Sequence, residues 1–260
     1  MSVPSSPEPS RAPCELRREA AARVAWLWLD RADSGNRLSR ELVDALHAAL
    51  EHVEACGNID VLVLAARGTA FCQGLAEPAA AAPPPARRAA HLATSDLMLR
   101  LATLPCITLA VVQGDAAGAG LELVASCDFA MASTTARFAV PDLDQGRWPH
   151  TTQVALSRAL PPRQALALLL DTRAREAAEM LRLGLLHEVV ADTELTARAR
   201  ALAARLAAKP AAVVAPGKLS FHRQLAMNRA DAYLYAVEQQ QRDRHGPETG
   251  NMEHQEREDR

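Results

Sequence analysis

The chain has 260 residues, of which 49% are hydrophobic, so it is long and apolar enough to bury the core of one domain with an appendage. Its net charge of −2, with arginines scattered among acidic residues, argues against nucleic acid as a partner. The five cysteines lack the spacing of metal ligands, which predicts a reduced, cytoplasmic protein with no metal site.

The two ends of the chain differ in composition from the rest. Residues 1–13 are rich in Pro and Ser, and residues 243–260 are highly charged with few apolar side chains, so we expect both tails to be disordered. The first residues include no apolar signal segment, and no run of about 18 uncharged apolar residues occurs. These patterns predict a soluble protein with no membrane partner.

Strand and helix patterns alternate at the beginning of the folded region. Residues 23–30 are typical of a strand, and after Ser39 apolar residues recur at helical spacing as far as Gly57. Residues 59–65 predict a second, buried strand. A strand, a helix and a strand in this order imply a right-handed parallel crossover, and hence an α/β fold.

The turn over residues 67–77 follows the second strand, at the place where ligand contacts are expected in an open α/β sheet. The next segment, 78–86, is of low complexity and is interpreted either as a lid beside a site or as a spacer. Residues 91–104 then predict an amphipathic helix.

A glycine-broken turn joins the apolar, β-rich run at 106–112 to an apolar helix. Gly114, Gly118 and Gly120 permit positive φ angles and a close approach of the backbone. The amides of residues 117–120 can therefore point into a cavity at the start of the helix, where they would polarise a carbonyl oxygen.

Glu122 lies in the first turn of this helix. Two interpretations stay open: Glu122 is an acid or base beside an oxyanion site, or it only stabilises the helix dipole. The pair Gly118 and Gly120 also invites a dinucleotide-binding interpretation. That interpretation is disfavoured because Leu123 stands where the motif needs its third glycine.

The last third of the chain is predicted to be mainly helical. Helical spacing covers four segments, namely 163–170, 174–183, 195–208 and 218–241, and a short extended piece covers 187–190. We expect these helices to form a C-terminal helical region over residues 191–242.

Four motifs lie in an order and at spacings that resemble one family. They occur within residues 30–38, 70–74, 114–128 and 138–146. Together they make the chain similar, from about residue 24 to about residue 235, to the crotonase, or enoyl-CoA hydratase/isomerase, superfamily. The resemblance implies an α/β fold with a crotonase-like ββα spiral core over residues 14–190 and a C-terminal helical trimerisation region. It also implies a homotrimer or a dimer of trimers.

The resemblance further implies an enzyme that acts on an acyl-CoA thioester, and it favours an enoyl-CoA hydratase, a lyase that adds water across an α,β-unsaturated thioester. The two backbone amides of the family's oxyanion hole fall on Leu75 and Ala119. The two glutamates of its hydratases fall on Glu122 and Asp142. Coenzyme A enters as part of the substrate, and no separate cofactor is implied.

Asp142 departs from the hydratase pattern. It is one methylene shorter than Glu, which withdraws the carboxylate by roughly an ångström, and a displacement of that size can cost about a hundredfold in rate. Asp142 can also be interpreted as an ordinary turn carboxylate after Pro141. An isomerase or decarboxylase that uses a single acid or base, or a catalytically silent relative that binds CoA esters, therefore stays open.

Further residues are candidates for the site. His150 lies eight positions after Asp142, where some relatives carry an aspartate, and is interpreted either as a proton shuttle or as an ordinary surface or core histidine. The resemblance assigns CoA or substrate binding to Arg31, Arg37, Gln73, Gly74, Ala76, Gly118, Trp148, Lys218 and Phe221. The arginines among them can equally be solvated surface residues.

Overall fold

The computed structural model describes residues 12–19, 22–76 and 83–244. Residues 1–13 and 243–260, for which we predict disorder, lie almost wholly outside these ranges. Most of the lid or spacer segment 78–86 also lies outside them. The described residues divide into two compact units, the first ending at Ala211 and the second beginning at Ala212.

Two sheets form the first unit. The larger has six strands, β1 (Cys14–Arg18), β2 (Val24–Leu29), β3 (Val61–Ala66), β5 (Ile107–Val112), β7 (Phe129–Ser133) and β10 (Glu188–Val190), in the order β1-β2-β3-β5-β7-β10. The smaller has four, β4 (Ala70–Cys72), β6 (Asp115–Ala117), β8 (Arg137–Ala139) and β9 (Arg175–Glu176), in the order β4-β6-β8-β9. In the larger sheet only β1 is antiparallel to its neighbour.

Helices follow the strands. Their bounds in the described chain are α1 (Arg40–Cys56), α2 (Pro84–Thr103), α3 (Ala119–Ala125), α4 (Thr152–Ala159), α5 (Pro162–Leu170), α6 (Ala177–Leu183), α7 (Asp192–Ala207), α8 (Ala211–Gln224) and α9 (Arg229–Arg244). From β3 onward, a strand of the larger sheet is followed by a strand of the smaller sheet and then by a helix, and this unit occurs three times. The repetition is the predicted ββα spiral.

The first crossover forms as the sequence predicts. β2 and β3 pair in parallel, with Val24 opposite Val61. Between them, α1 begins after Ser39, whose hydroxyl accepts a hydrogen bond from the Leu42 amide at 3.3 Å, and ends at Gly57, which adopts a left-handed conformation. The hydroxyl and the glycine therefore set the two ends of the helix.

Both faces of the larger sheet are covered. The alternate side chains of β2, such as Leu27 and Leu29, join the main core together with the apolar face of α1. β3 and β5 are buried along their whole length, as the continuous apolar runs of these two segments predict. A parallel sheet needs cover on both faces, and α7 contributes to it with buried side chains such as Leu195 and Leu202.

Asn36 ties two turns of the first unit together. It is fully buried, has a φ of 52°, and accepts a hydrogen bond from the Arg31 amide at 2.8 Å. Its side-chain amide donates to the carbonyls of Arg67 and Ala70, both at 2.9 Å. The turn after β2 is thereby anchored to the turn between β3 and β4, which leads directly into the candidate site.

Several predicted elements have different bounds in the structure. The helix predicted over 218–241 is two helices, α8 and α9, because Asn228 interrupts it and caps α9 by accepting a hydrogen bond from the Asp231 amide at 3.0 Å. α2 begins at Pro84 rather than at residue 91, and the beginning of the helix predicted over 174–183 is the short strand β9. Sequence patterns also did not predict β1, the three-residue strands of the smaller sheet, β7 or α4, because such short segments carry little periodicity.

The division between the two units falls after Ala211, so α7 belongs to the first unit. The predicted domain boundary after residue 190 stays a prediction. The buried face of α7 packs on the larger sheet, which is why this helix does not separate from the strands. The assignment of residues 191–242 to oligomerisation stays a prediction.

Candidate active site

A cavity of about 780 Å³ opens in the first unit. Its walls come from the start of α1, the segment after β4, the first half of α2, the turn that opens α3, and the loop from β8 to the start of α4. The carboxyl ends of β4 and β6 both lead into it, at the edge where the sequence predicts ligand contacts.

Two backbone amides face this region without a partner among the described residues. Leu75 forms a parallel bridge with Leu38, in which Leu38 donates to Gly74 and Ala76 donates to Leu38. The Leu75 amide is used by neither bond. Ala119 is the first residue of α3, so its amide has no acceptor within the helix.

Gly74 and Gly118 bring these amides side by side. Gly74 has a φ of 90°, and a Cβ atom built on it would lie 3.9 Å from the Ala119 nitrogen. Gly118 has a φ of 51° and a ψ of −117°, a conformation that favours glycine. The two predicted amides, on Leu75 and Ala119, are therefore neighbours at the wall of the cavity.

Gly120 allows α3 to approach β4. A Cβ atom at this position would lie only 2.0 Å from the carbonyl oxygen of Cys72. No side chain fits between the helix and the strand, which confirms the close backbone approach expected of this glycine.

Glu122 lies one turn into α3 and is 4% exposed. Its Oε2 accepts hydrogen bonds from the hydroxyls of Thr151 at 3.1 Å and Thr152 at 3.3 Å. Its Oε1 accepts none from the described residues. Burial raises the pKa of Glu122, the two hydroxyls lower it, and the negative charge of Asp142 raises it.

Asp142 lines the cavity directly. Its backbone carbonyl accepts hydrogen bonds from the amides of Gln145 and Arg147, both at 3.0 Å, so its main chain forms a turn. Its Oδ2 lies 3.8 Å from the position of a Cβ atom on Gly118. The carboxylate is thus beside the glycine turn, and it acts electrostatically on Glu122.

His150 and Trp148 also line the cavity. The indole of Trp148 donates to the Gln153 side chain at 2.8 Å, whereas His150 is exposed. The structure therefore places both residues on the Asp142 side of the cavity, and the proton-shuttle role of His150 stays a prediction.

The residues predicted to bind CoA or substrate fall into three groups. Arg37, Gln73, Gly74, Ala76 and Gly118 line the cavity. Arg31 is not among the lining residues, and its guanidinium donates to the Asp30 carbonyl at 3.2 Å. Lys218 and Phe221 lie on α8 in the second unit, and their assignment stays a prediction.

Comparison with known proteins identifies the family. A model described as enoyl-CoA hydratase/isomerase matches residues 19–256. The chain belongs to the enoyl-CoA hydratase/isomerase family. This result confirms the resemblance inferred from the four motifs, and the family acts on acyl-CoA substrates.

Named relatives agree with this assignment. The chain is 34% identical over 203 residues to enoyl-CoA hydratase domain-containing protein 3, mitochondrial, of Rattus norvegicus, and the match covers 77% of this chain and 68% of that protein. It is 32% identical over 227 residues to a probable enoyl-CoA hydratase of Rhodobacter capsulatus, with 81% and 82% covered.

Solved structures confirm the crotonase fold. A crystal structure of enoyl-CoA hydratase from Mycobacterium smegmatis is 33% identical, has a TM-score of 0.86, and covers 91% of this chain and 93% of its own. The crystal structure of human enoyl-CoA hydratase domain-containing protein 3 is 29% identical with a TM-score of 0.82, and the match covers 87% and 89% of the two chains.

Two residues of the candidate site were not predicted from the sequence. Thr151 and Thr152 follow His150 directly, yet their partner Glu122 lies 29 and 30 positions earlier. The sequence does show two adjacent hydroxyl residues after a proline-containing turn. It does not show which residue they contact, because that depends on how α3 and α4 pack.

Within the described residues, no cluster of three or more His, Cys, Asp or Glu side chains is arranged to hold a metal ion. In the same part of the chain, no helix has the length and apolar character needed to cross a membrane.

Proposed function

We propose that the chain is an enoyl-CoA hydratase. The observation that carries the proposal is that Asp142 lines the cavity beside two amides with no partner among the described residues, while Glu122 lies directly behind the threonines of the cavity wall, where the charge of Asp142 raises its pKa. Hydration needs both kinds of group, since the thioester oxygen gains negative charge while one proton leaves the attacking water and one is delivered to the α-carbon.

The amides of Leu75 and Ala119 form the proposed oxyanion hole. They would donate hydrogen bonds to the thioester carbonyl oxygen as it becomes an enolate. Because both donors belong to the backbone, and because Gly74 and Gly118 hold them in place, they need no reorganisation during the reaction.

The two carboxylates share the proton transfers. We assign Glu122 as the base that removes one proton from water while the water oxygen bonds to the β-carbon of the enoyl group. Burial makes the ionised Glu122 a stronger base by raising its pKa. The carboxyl group of Asp142 donates a proton to the α-carbon, and the proton that Glu122 removed from water then passes to Asp142, so that the net addition is one H and one OH.

One observation favours a second candidate. Asp142 lines the cavity directly, whereas Glu122 lies behind the two threonines that line it. A double-bond isomerase could use Asp142 alone to move a proton between the α- and γ-carbons, with the same two amides stabilising the enolate.

Purified protein assayed with crotonyl-CoA and longer, branched and aromatic enoyl-CoAs tests the proposal. Hydration removes the absorbance of the conjugated thioester. Glu122→Gln and Asp142→Asn are each expected to lower kcat/KM by about 10²- to 10⁴-fold, the usual contribution of a general acid or base. Asp144→Asn is the matched control, because Asp144 lies in the same turn and does not line the cavity.

Two results would contradict the hydratase assignment. Absence of hydration across the panel, with isomerisation of a β,γ-enoyl-CoA that Asp142→Asn abolishes and Glu122→Gln preserves, supports the isomerase. Binding of CoA esters without any turnover supports a silent relative.

Other expectations also remain proposals. We propose that coenzyme A enters only as part of the substrate and that no separate cofactor is required. The cytoplasmic location and the assembly as a homotrimer or dimer of trimers stay predictions.

A further inference from the structure

We propose that Thr151 and Thr152 are positioning residues that occupy one oxygen of the Glu122 carboxylate and leave the other oxygen to act as the base. The inference rests on the proposed function for the identity of the proton that Glu122 removes. The hydrogen bonds on which it is built do not depend on that function.

The geometry separates the two carboxylate oxygens. Both hydroxyls donate to Oε2, at 3.1 and 3.3 Å, while Oε1 accepts no hydrogen bond from the described residues. Two donors to the same oxygen restrict the rotation of the carboxylate. The direction in which Oε1 points is therefore fixed as well. The two threonines line the cavity, so the carboxylate that they contact lies directly behind its wall.

The local structure of α4 gives no other reason for these hydroxyls. Thr151 precedes the first helical residue, a position where a threonine usually accepts a hydrogen bond from a backbone amide, but its side chain makes no such bond. Thr152 is the first residue of α4 and is 4% exposed, a site where an apolar side chain of the same shape would fit. Both hydroxyls are instead directed to Glu122.

Charged and titratable side chains line the cavity in front of Glu122, among them Arg37, Glu41, Arg87, His91 and Arg147. Asp142 faces Glu122 from the loop after β8 and raises its pKa. On β4, the buried Cys72 thiol has its pKa raised to about 12 by burial and is neutral. The buried side chains of α2 include the apolar Leu97 and Leu101. His150 lines the cavity next to Thr151.

Burial of Glu122 and the charge of Asp142 both oppose its ionisation, and the two hydroxyls act against them. A base must be ionised before it can accept a proton. The threonines therefore favour the ionised form of Glu122 and also fix the position of its carboxylate.

The first experiment measures this effect without any turnover. Protein labelled with ¹³C at the glutamate carboxyl is titrated by NMR, and Glu122→Gln identifies the Glu122 resonance. Thr151→Val and Thr152→Val are expected to move the Glu122 titration to higher pH, and Thr151→Ser and Thr152→Ser are expected to restore it. Thr94→Val is the matched control, because Thr94 also lines the cavity but donates its hydroxyl to the Ala90 carbonyl.

The second experiment measures the pH profile of hydration. Each valine variant should lower kcat/KM by roughly tenfold at the acidic end of the profile, the effect of losing one hydrogen bond to a charged group, and the loss should fade as pH rises. KM should change little, because the hydroxyls contact the base rather than the proposed oxyanion site.

Two results would overturn the inference. The first is an unchanged Glu122 titration in both valine variants. The second is a loss of activity that is equal at every pH and that serine does not restore, which is the behaviour of a merely structural contact.

The NMR experiment also separates this inference from the proposed function. If no enoyl-CoA is hydrated but the valine variants shift the Glu122 titration, the hydratase assignment fails and the threonine assignment stands. If hydration occurs and depends on Glu122 while the titration does not move, the threonine assignment alone fails.

Discussion

Glu122 is a buried acid whose ionisation the fold opposes. Its pKa is raised chiefly by burial, with the charge of Asp142 acting in the same direction. The unfolded chain has neither effect. The folded state therefore holds the Glu122 proton at pH values where the unfolded state has already released it, and stability must depend on pH through this residue.

We predict that Glu122→Gln stabilises the protein at neutral pH more than at acid pH. Below the ordinary glutamate pKa of 4.5 both states are protonated, so the wild-type residue carries no ionisation penalty. As pH rises from 4.5 through the raised folded-state pKa, wild-type stability falls, whereas the Gln variant lacks this loss. The difference in unfolding free energy should grow across this window and then level off.

Urea denaturation at matched protein concentration from pH 4 to pH 8 measures this difference. Asp144→Asn is the control, because that carboxylate is exposed and its variant should show no such growth. A Gln variant that becomes relatively less stable as pH rises would contradict the raised pKa of Glu122.

At the scale of elements, the site depends on the contact of α3 with β4. The helix begins immediately after Gly118, and Gly120 then meets the Cys72 carbonyl with no room for a side chain. The Ala119 amide lies between these two glycines. Any displacement of α3 from the strand therefore moves a proposed oxyanion donor.

We predict that Gly120→Ala destabilises the fold by about 1–3 kcal/mol, the usual cost of overpacking a close contact. It should also lower hydration, because the Ala119 amide must shift with the helix. Denaturant midpoints and kcat/KM measure the two effects.

Gly217→Ala serves as the control for this substitution. Gly217 lies inside α8 with open space around its Cα, so an alanine there should be neutral or stabilise by up to about 1 kcal/mol. Equal effects of the two substitutions would contradict the close approach of α3 to β4.

At the scale of the whole molecule, burial of the thiols reports whether the two sheets are assembled. The pKa of Cys14 is raised to about 11 and that of Cys72 to about 12, in both cases chiefly by burial. Thiol reagents react with the thiolate, so both residues should react slowly in the native state.

We predict that a thiol reagent at pH 8 labels Cys56 before Cys14 and Cys72. Cys56 is partly exposed at the end of α1, whereas Cys72 is fully enclosed in β4. Peptide mapping by mass spectrometry gives the order of labelling, and guanidinium should make all five cysteines react. Rapid labelling of Cys72 in native protein would show that the smaller sheet is not formed.

Much of the architecture was predicted from local patterns. The parallel crossover of β2, α1 and β3 followed from apolar runs, a capping serine and a terminal glycine, each of which acts within a few residues. The glycine turn before α3 was identified for the same reason, because the φ of Gly118 and the close contact at Gly120 exclude most side chains. Spacing of the four motifs then indicated the family.

The order of the smaller sheet was decided by tertiary structure. Strands of two or three residues, such as β6 and β9, have too few positions for an alternating pattern. Their pairing depends on where the larger sheet places successive turns. Asn36 is a similar case, since its hydrogen bonds reach carbonyls more than thirty positions away.

The sequence by itself determined the α/β class, the family and the candidate acids, because these follow from local hydrogen bonding and from motif spacing. It placed Glu122 and Asp142 in one site only through the resemblance. Tertiary structure alone decided that Glu122 is buried behind Thr151 and Thr152, because that contact requires α3 and α4, distant in the chain, to pack together. Local patterns carry no information about such a distant partner.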